Sequence, residues 1–216
     1  MKEIRNVLFD LDGTIIDPKE GIINSIIFAL DKMGIQETNH SELISFIGPP
    51  LIHSFSNRYQ LSDKDAKKIV DFYREYYSTK GIYQNTLYPD ALKSIVSLNK
   101  ERYRLFIATS KPTIFAEKII SYLNLTKFFE GIIGSNLNNT RTDKTELISF
   151  ALDKYILKKE HTVMVGDRMF DITGAKNNSI ISIGVTFGYG SFYELQHAKP
   201  EILVNNYPEL LSLLIR

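Results

Sequence analysis

Val7-Leu8-Phe9-Asp10-Leu11-Asp12-Gly13-Thr14 is the stretch on which the reading of this chain turns. An apolar run this short, without polar alternation, suits a strand covered on both faces. Two aspartates and a glycine follow it at once. Similar runs recur at Leu105-Phe106-Ile107-Ala108, Ile132-Ile133, Val163-Met164-Val165, residues 180–185 and Ile202-Leu203-Val204. Helical patterns over residues 113–123, 144–155 and 171–177 separate the later runs. Strands alternating with helices give βαβ units, so the expected fold is α/β: a doubly wound parallel sheet with helices on both faces.

The spacing breaks this rule once. Between the first two runs, residues 16–85 hold no convincing strand. Asp17-Pro18-Lys19-Glu20 reads as a helix start, with Asp17 as cap, Pro18 at the first helical position and Glu20 completing a capping-box pattern. Ile22, Ile26, Leu30 and Met33 follow at helical spacing, and Gly34 can end the helix. A second start lies at Ser62, ahead of Ala66, Ile69, Tyr73 and Tyr76. An insert of this length is too long for a loop. The expected organisation is a core from residues 1–15 and 86–216, interrupted by a small α-helical cap domain at 16–85.

Composition removes several classes. With no cysteine, disulfides, thiolate zinc sites and cysteine nucleophiles are excluded. The formal net charge of +1 provides no field for a nucleic-acid polymer or an acidic membrane surface. Residues 15–85 carry eight lysines and arginines against nine aspartates and glutamates, so the insert is no basic funnel either. No run approaches a membrane span, and the first residues lack an apolar signal core. The expectation is a soluble cytoplasmic protein, a monomer or weak homodimer, whose partner is a small molecule. His40, His53, His161 and His197 show no metal-ligand spacing.

The chemistry-bearing residues fall at strand ends. Asp10, Asp12, Gly13 and Thr14 follow the first strand, and Thr109 and Ser110 the second. Lys144 opens the helix after the third strand. Gly166 and Asp167 follow the fourth, with Asp171 one helical turn further on. Open parallel sheets bind ligands beyond the carboxyl ends of their strands, where the strand order reverses. A 3-2-1-4-5 order would make the first and fourth strands neighbours there. Clustered carboxylates need a cation, and all-oxygen ligands suit Mg²⁺. Thr109 and Lys144 suit phosphoryl oxygens, and two carboxylates two residues apart can divide nucleophilic attack from proton transfer.

Taken singly, each feature has a simpler reading. Asp10-Leu11-Asp12-Gly13 is equally a turn, Thr109 and Gly166-Asp167 equally helix caps, and Lys144 a solvated helix lysine. It is not an EF-hand loop, since Gly13 sits at the fourth position from Asp10 and Gly21 at the twelfth. Ser191 with Glu194 reads as a capping box, in preference to Gly188-Tyr189-Gly190-Ser191 lining a site. Tyr73, Tyr76, Tyr77 and Tyr83 read as packing residues. It is the joint occurrence, in order, at successive strand ends that favours a site.

Together, Asp10-Leu11-Asp12-Gly13-Thr14, Thr109, Lys144 and Gly166-Asp167 with Asp171 resemble the four motifs of the haloacid dehalogenase-like hydrolases, over essentially the whole chain. The resemblance implies a Rossmann-like core and a Mg²⁺-dependent phosphatase. In it Asp10 becomes an aspartyl-phosphate, Asp12 protonates the leaving group and then activates water, and Thr109 and Lys144 hold the phosphoryl oxygens. Asp10, the backbone carbonyl of Asp12 and Asp167 bind the metal, and Asp171 positions Lys144 or a metal-bound water. Ala108-Thr109-Ser110-Lys111-Pro112, Gly166-Asp167-Arg168 and Gly188-Tyr189-Gly190-Ser191 look like the phosphoglycolate phosphatase group, which includes members named 5′-nucleotidases. Phe46-Ile47-Gly48-Pro49-Pro50-Leu51 resembles that group's cap loop, making Gly48 and Pro49, with Gly13 and Thr14, candidate substrate contacts. A phosphosugar mutase of the β-phosphoglucomutase kind shares these motifs and is the alternative. A non-catalytic relative would be expected to lack Asp10 or Asp167, and both are present.

Overall fold

The computed structural model describes residues 4–138 and 140–215. They fall into two compact units, Met1–Ile16 with Leu87–Arg216, and Asp17–Thr86.

The first unit is organised around β1, Asn6–Phe9, buried at every position. The chain leaves and re-enters this unit through two paired two-residue strands, β2 (Ile16–Asp17) and β3 (Thr86–Leu87). Two residues cannot display an alternating pattern, so neither strand is legible in the sequence. Next come helix α4 (Ala91–Lys100), β4 (Arg104–Pro112), α5 (Thr113–Tyr122), β5 (Gly131–Ser135) and α6 (Lys144–Lys154). The chain continues through β6 (Thr162–Gly166), α7 (Met169–Asn177), β7 (Ile181–Val185), α8 (Phe192–Ala198), β8 (Ile202–Val204) and α9 (Tyr207–Leu214). The six longer strands form one sheet in the order β5-β4-β1-β6-β7-β8, and all its pairs are parallel. Numbered along the sheet-forming strands alone, that is 3-2-1-4-5-6, the expected order with one strand added. Phe9 pairs in register with Ile107 on one side and Val165 on the other. The residues following each strand therefore emerge at one edge of the sheet.

Burial holds the sheet against its helices. Leu8, Phe106, Ile133 and Met164 project into one apolar cluster with Leu147, Ile148 and Ala151 of α6. At about 25 cal/mol per Å² of apolar area removed from water, a fully buried leucine or isoleucine contributes roughly 1.5–3 kcal/mol. The same cluster fixes α6 and hence its first residue, Lys144.

In the second unit, α1 (Lys19–Met33) begins one residue later than the sequence suggested. Pro18 stands just outside the helix, and Asp17 Oδ1 accepts the Lys19 N–H at 2.9 Å. Gly34 ends α1 in the left-handed conformation, as its position implied. A short 3-10 turn, His40–Phe46, precedes α2 (Leu51–Tyr59). Helix α3 (Asp63–Thr79) is capped by Ser62, whose hydroxyl accepts the Asp65 N–H at 3.2 Å. Tyr73 and Tyr77 are buried with rings stacked 5.4 Å apart, and Tyr76 packs on Phe28. Tyr83 differs from its packing assignment, being 44 % exposed. No helix among the described residues is long and apolar enough to cross a membrane.

Candidate active site

Asp10 follows β1 directly, and its N–H continues the strand pairing to the Val165 carbonyl at 2.9 Å. Its Oδ1 accepts the Leu11 N–H at 2.7 Å and faces Lys144 Nζ at 2.9 Å. Both partners orient the carboxylate before any ligand arrives. The chain then turns sharply, with the Leu11 carbonyl accepting the N–H groups of Thr14, Ile15 and Ile16. Gly13 takes φ +81°, and a side chain there would collide with Asp167 Oδ2 at 2.3 Å. Both the backbone conformation and the close approach demand glycine.

Lys144 is 4 % exposed, so it is no solvated helix lysine. Asp143 caps α6 by accepting the Thr145 and Glu146 N–H groups, which leaves Lys144 at the first helical position. Its ammonium meets Asp10 Oδ1, Asp171 Oδ1 at 2.6 Å and the Ala108 carbonyl at 2.8 Å. Burial pulls its pKa down, but the charges of Asp10 and Asp171 outweigh burial and hold it above the ordinary lysine range. Asp171 is placed by its other oxygen, which accepts the Arg168 N–H at 3.1 Å. Gly166 gives Asp171 room: a Cβ there would lie 2.2 Å from the Asp171 carboxyl carbon.

Asp167 is fully buried. Thr14 donates its hydroxyl to Asp167 Oδ1 at 3.3 Å, and the Tyr189 N–H donates to Oδ2 at 2.7 Å. Burial pushes the Asp167 carboxyl up to about 8, and the neighbouring charges of Asp10 and Asp171 push the same way. Gly188 and Gly190 press against Asp167 so closely that a Cβ on either would meet its atoms within 2.5 Å. The glycines of that stretch thus have a packing role of their own beside the cap. Ser191 does cap α8, accepting the Glu194 N–H, while Gly188–Gly190 wrap Asp167. Glu194 itself turns to Arg168 Nε at 2.8 Å and the Met169 N–H at 2.9 Å.

Thr109 and Ser110 do not follow β4 but lie within its last stretch, which runs on to Pro112 past a register shift; Thr109 is buried there, and its hydroxyl accepts the Lys111 N–H at 3.3 Å. Ser110 donates to the Thr142 carbonyl at 3.0 Å, tying this strand end to the segment that leads into Lys144. Lys111 received no separate role from the sequence. Its side chain is 6 % exposed and its Nζ lies 2.7 Å from Asp12 Oδ2. Burial raises the Asp12 pKa against the lowering pull of Lys111. The available sequence signal was position alone, two residues after Thr109. Gly48 and Pro49 lie in the second unit, between the 3-10 turn and α2, with Gly48 at φ +106°.

Among the described residues, Asp10, Asp167 and Asp171 each offer a carboxylate oxygen, and these oxygens lie within 4.8 Å of one another. Four carboxylates, counting Asp12, and two ammonium groups leave a formal charge of −2, that of one divalent cation's complement. An all-oxygen donor set with that excess suits Mg²⁺ better than a softer metal. The Asp12 carboxylate stands outside this group, occupied by Lys111.

The family pattern described as haloacid dehalogenase-like hydrolase matches residues 7–185. A 5′-nucleotidase of Pseudomonas aeruginosa is 42 % identical over 195 residues, covering 90 % of this chain and 88 % of that one. A phosphoglycolate phosphatase of Vibrio cholerae is 25 % identical over 223 residues, spanning 100 % of this chain and 99 % of its own. The haloacid dehalogenase-like family hydrolase of Streptococcus pneumoniae superposes with a TM-score of 0.92 at 32 % identity, covering 99 % of each chain. The chain therefore belongs to the haloacid dehalogenase-like hydrolases, in the branch of 5′-nucleotidase-like and phosphoglycolate phosphatase-like enzymes.

Proposed function

We propose that this protein is a Mg²⁺-dependent phosphatase that hydrolyses a small phosphomonoester through an aspartyl-phosphate on Asp10. The observation that carries the reading is the Asp10–Lys144–Asp171 ion network, buried beside Asp167 at the carboxyl ends of the central strands. Asp10 attacks phosphorus, the ester P–O bond breaks with its electron pair on the leaving oxygen, and Asp12 supplies that oxygen with a proton. Water then attacks the aspartyl-phosphate, Asp12 takes the water's proton, and phosphate leaves with Asp10 regenerated. Lys144 and the Thr109 hydroxyl hold phosphoryl oxygens, Ser110 supports that strand end, and Asp171 keeps Lys144 in place. Mg²⁺, held by Asp10, Asp167 and the Asp12 backbone carbonyl, would neutralise charge on the phosphoryl group. Gly13 and Thr14 shape the turn, and the Asp17–Thr86 unit acts as the cap, with Gly48 and Pro49 contributing to substrate choice.

Phosphoglycolate and nucleoside monophosphates are the substrate types that the named relatives suggest. A phosphate-release screen across both types, with Mg²⁺ and then with EDTA, tests the reading. The expected result is release that EDTA abolishes and Mg²⁺ restores, with Ca²⁺ a poor substitute because it accepts more ligands in looser geometry. Conversion of one phosphosugar isomer into another without phosphate release would assign a mutase instead.

A further inference from the structure

Asp12 is held from one side. Its Oδ2 is 2.7 Å from Lys111 Nζ, whereas its Oδ1 is buried and has no hydrogen-bond partner. A buried oxygen left without a partner costs about 1–3 kcal/mol, a cost removed when a ligand supplies that partner, as a leaving-group oxygen would by sharing a proton with it. An ammonium offers three donors and no acceptor. The stronger acceptor, an oxygen without a proton, therefore belongs on the side that faces Lys111, and a proton on Asp12 belongs on Oδ1. The lysine is fixed in turn: its backbone N–H binds the Thr109 hydroxyl, and the pairing of β4 with β5 shifts register between Ala108 and Pro112, at this strand end.

We propose that Lys111 is a positioning residue for catalysis: by holding Asp12 through Oδ2, it fixes Oδ1 as the oxygen that gives its proton to the leaving group. This rests on the acid role of Asp12 proposed above. The step balances without any further reactant. The Asp10–phosphorus bond forms, the ester P–O bond breaks, and the Oδ1 proton passes to the departing oxygen, leaving Asp12 ionised against Lys111.

The test compares kcat/KM for an alkyl phosphate, whose alkoxide needs a proton to depart, with that for p-nitrophenyl phosphate, whose phenolate does not. The ratio of the two is taken on one preparation of each variant, so a partly misfolded fraction cancels. Lys111→Met and Lys111→Gln should each lower the alkyl-to-aryl ratio roughly tenfold or more, the scale of misplacing one catalytic group. In an Asp12→Asn background, which lowers the ratio by itself, Lys111→Met should lower it no further. Equal losses on both substrates, or a rise in KM alone, would mean that Lys111 merely supports the fold or attracts phosphate, and would overturn the proposal. An Asp12→Asn enzyme with an unchanged ratio would instead remove the acid role from Asp12, and the proposal with it. A wild-type-like Asp12 effect beside an unaffected Lys111→Met enzyme would overturn the lysine's role alone.

Discussion

At the scale of single residues, Asp10 and Lys144 have separable duties, and substitution should separate them. Asp10→Asn keeps the shape of the side chain but cannot attack phosphorus, so turnover and phosphate incorporation should vanish while the circular dichroism spectrum stays native. Near wild-type phosphate release from that variant would rule out covalent catalysis through Asp10. Lys144→Met acts differently, because it strands two buried carboxylates that now share one ammonium. Removing one partner of a buried ion pair typically costs about 3–5 kcal/mol. Urea unfolding without metal should show a loss of that order, together with loss of activity. A change below about 1 kcal/mol would mean that water already screens this network.

At the scale of elements, the turn from β6 into α7 sets Asp167 and Asp171 at once, and it depends on Gly166. Gly166→Ala places a methyl group 2.2 Å from the Asp171 carboxyl carbon, so either the helix or the carboxylate must move. The expected cost is about 1–3 kcal/mol, with a disproportionate fall in kcat because Asp171 is drawn off Lys144. Ser62→Ala, at the cap of α3, supplies the contrast: it loses one hydroxyl acceptor for the Asp65 N–H and should cost about 1 kcal/mol. If both variants lose the same stability and kcat falls no more for Gly166→Ala, the turn is not what holds Asp171 in register.

At the scale of the whole molecule, the excess of buried negative charge links stability to pH and metal. Asp167 has a pKa of about 8 in the folded chain, above the ordinary carboxylate value. Between those values the native state holds a proton that the unfolded chain has released. Its contribution to stability therefore falls as pH rises through that window. Mg²⁺ competes with that proton, so it should raise the thermal midpoint more at about pH 8 than at about pH 5. Thermal melts with and without Mg²⁺ at both values check this, and an equal shift at both would place the metal away from Asp167.

Periodicity and punctuation along the sequence determined much of this protein. Val7-Leu8-Phe9 announced a strand buried on both faces because a parallel sheet under helices leaves no polar face to alternate. The motif residues announced themselves by falling at successive strand ends, in an order that one sheet topology brings together. Gly34 and Ser62 marked helix ends because left-handed backbone and orphan N–H groups demand such residues locally. Tertiary structure alone decided the rest. Lys111 became a partner of Asp12 only because β4 lies beside β1, across a separation in sequence that carries no local signature. Gly188 and Gly190 stand just ahead of a legible cap at Ser191, and their need for glycine arises only because Asp167 fills the space that a Cβ on either would occupy. Local rules fix what each segment becomes. Which distant groups share a buried charge depends on strand order and packing, and that is where the chemistry of this site was set.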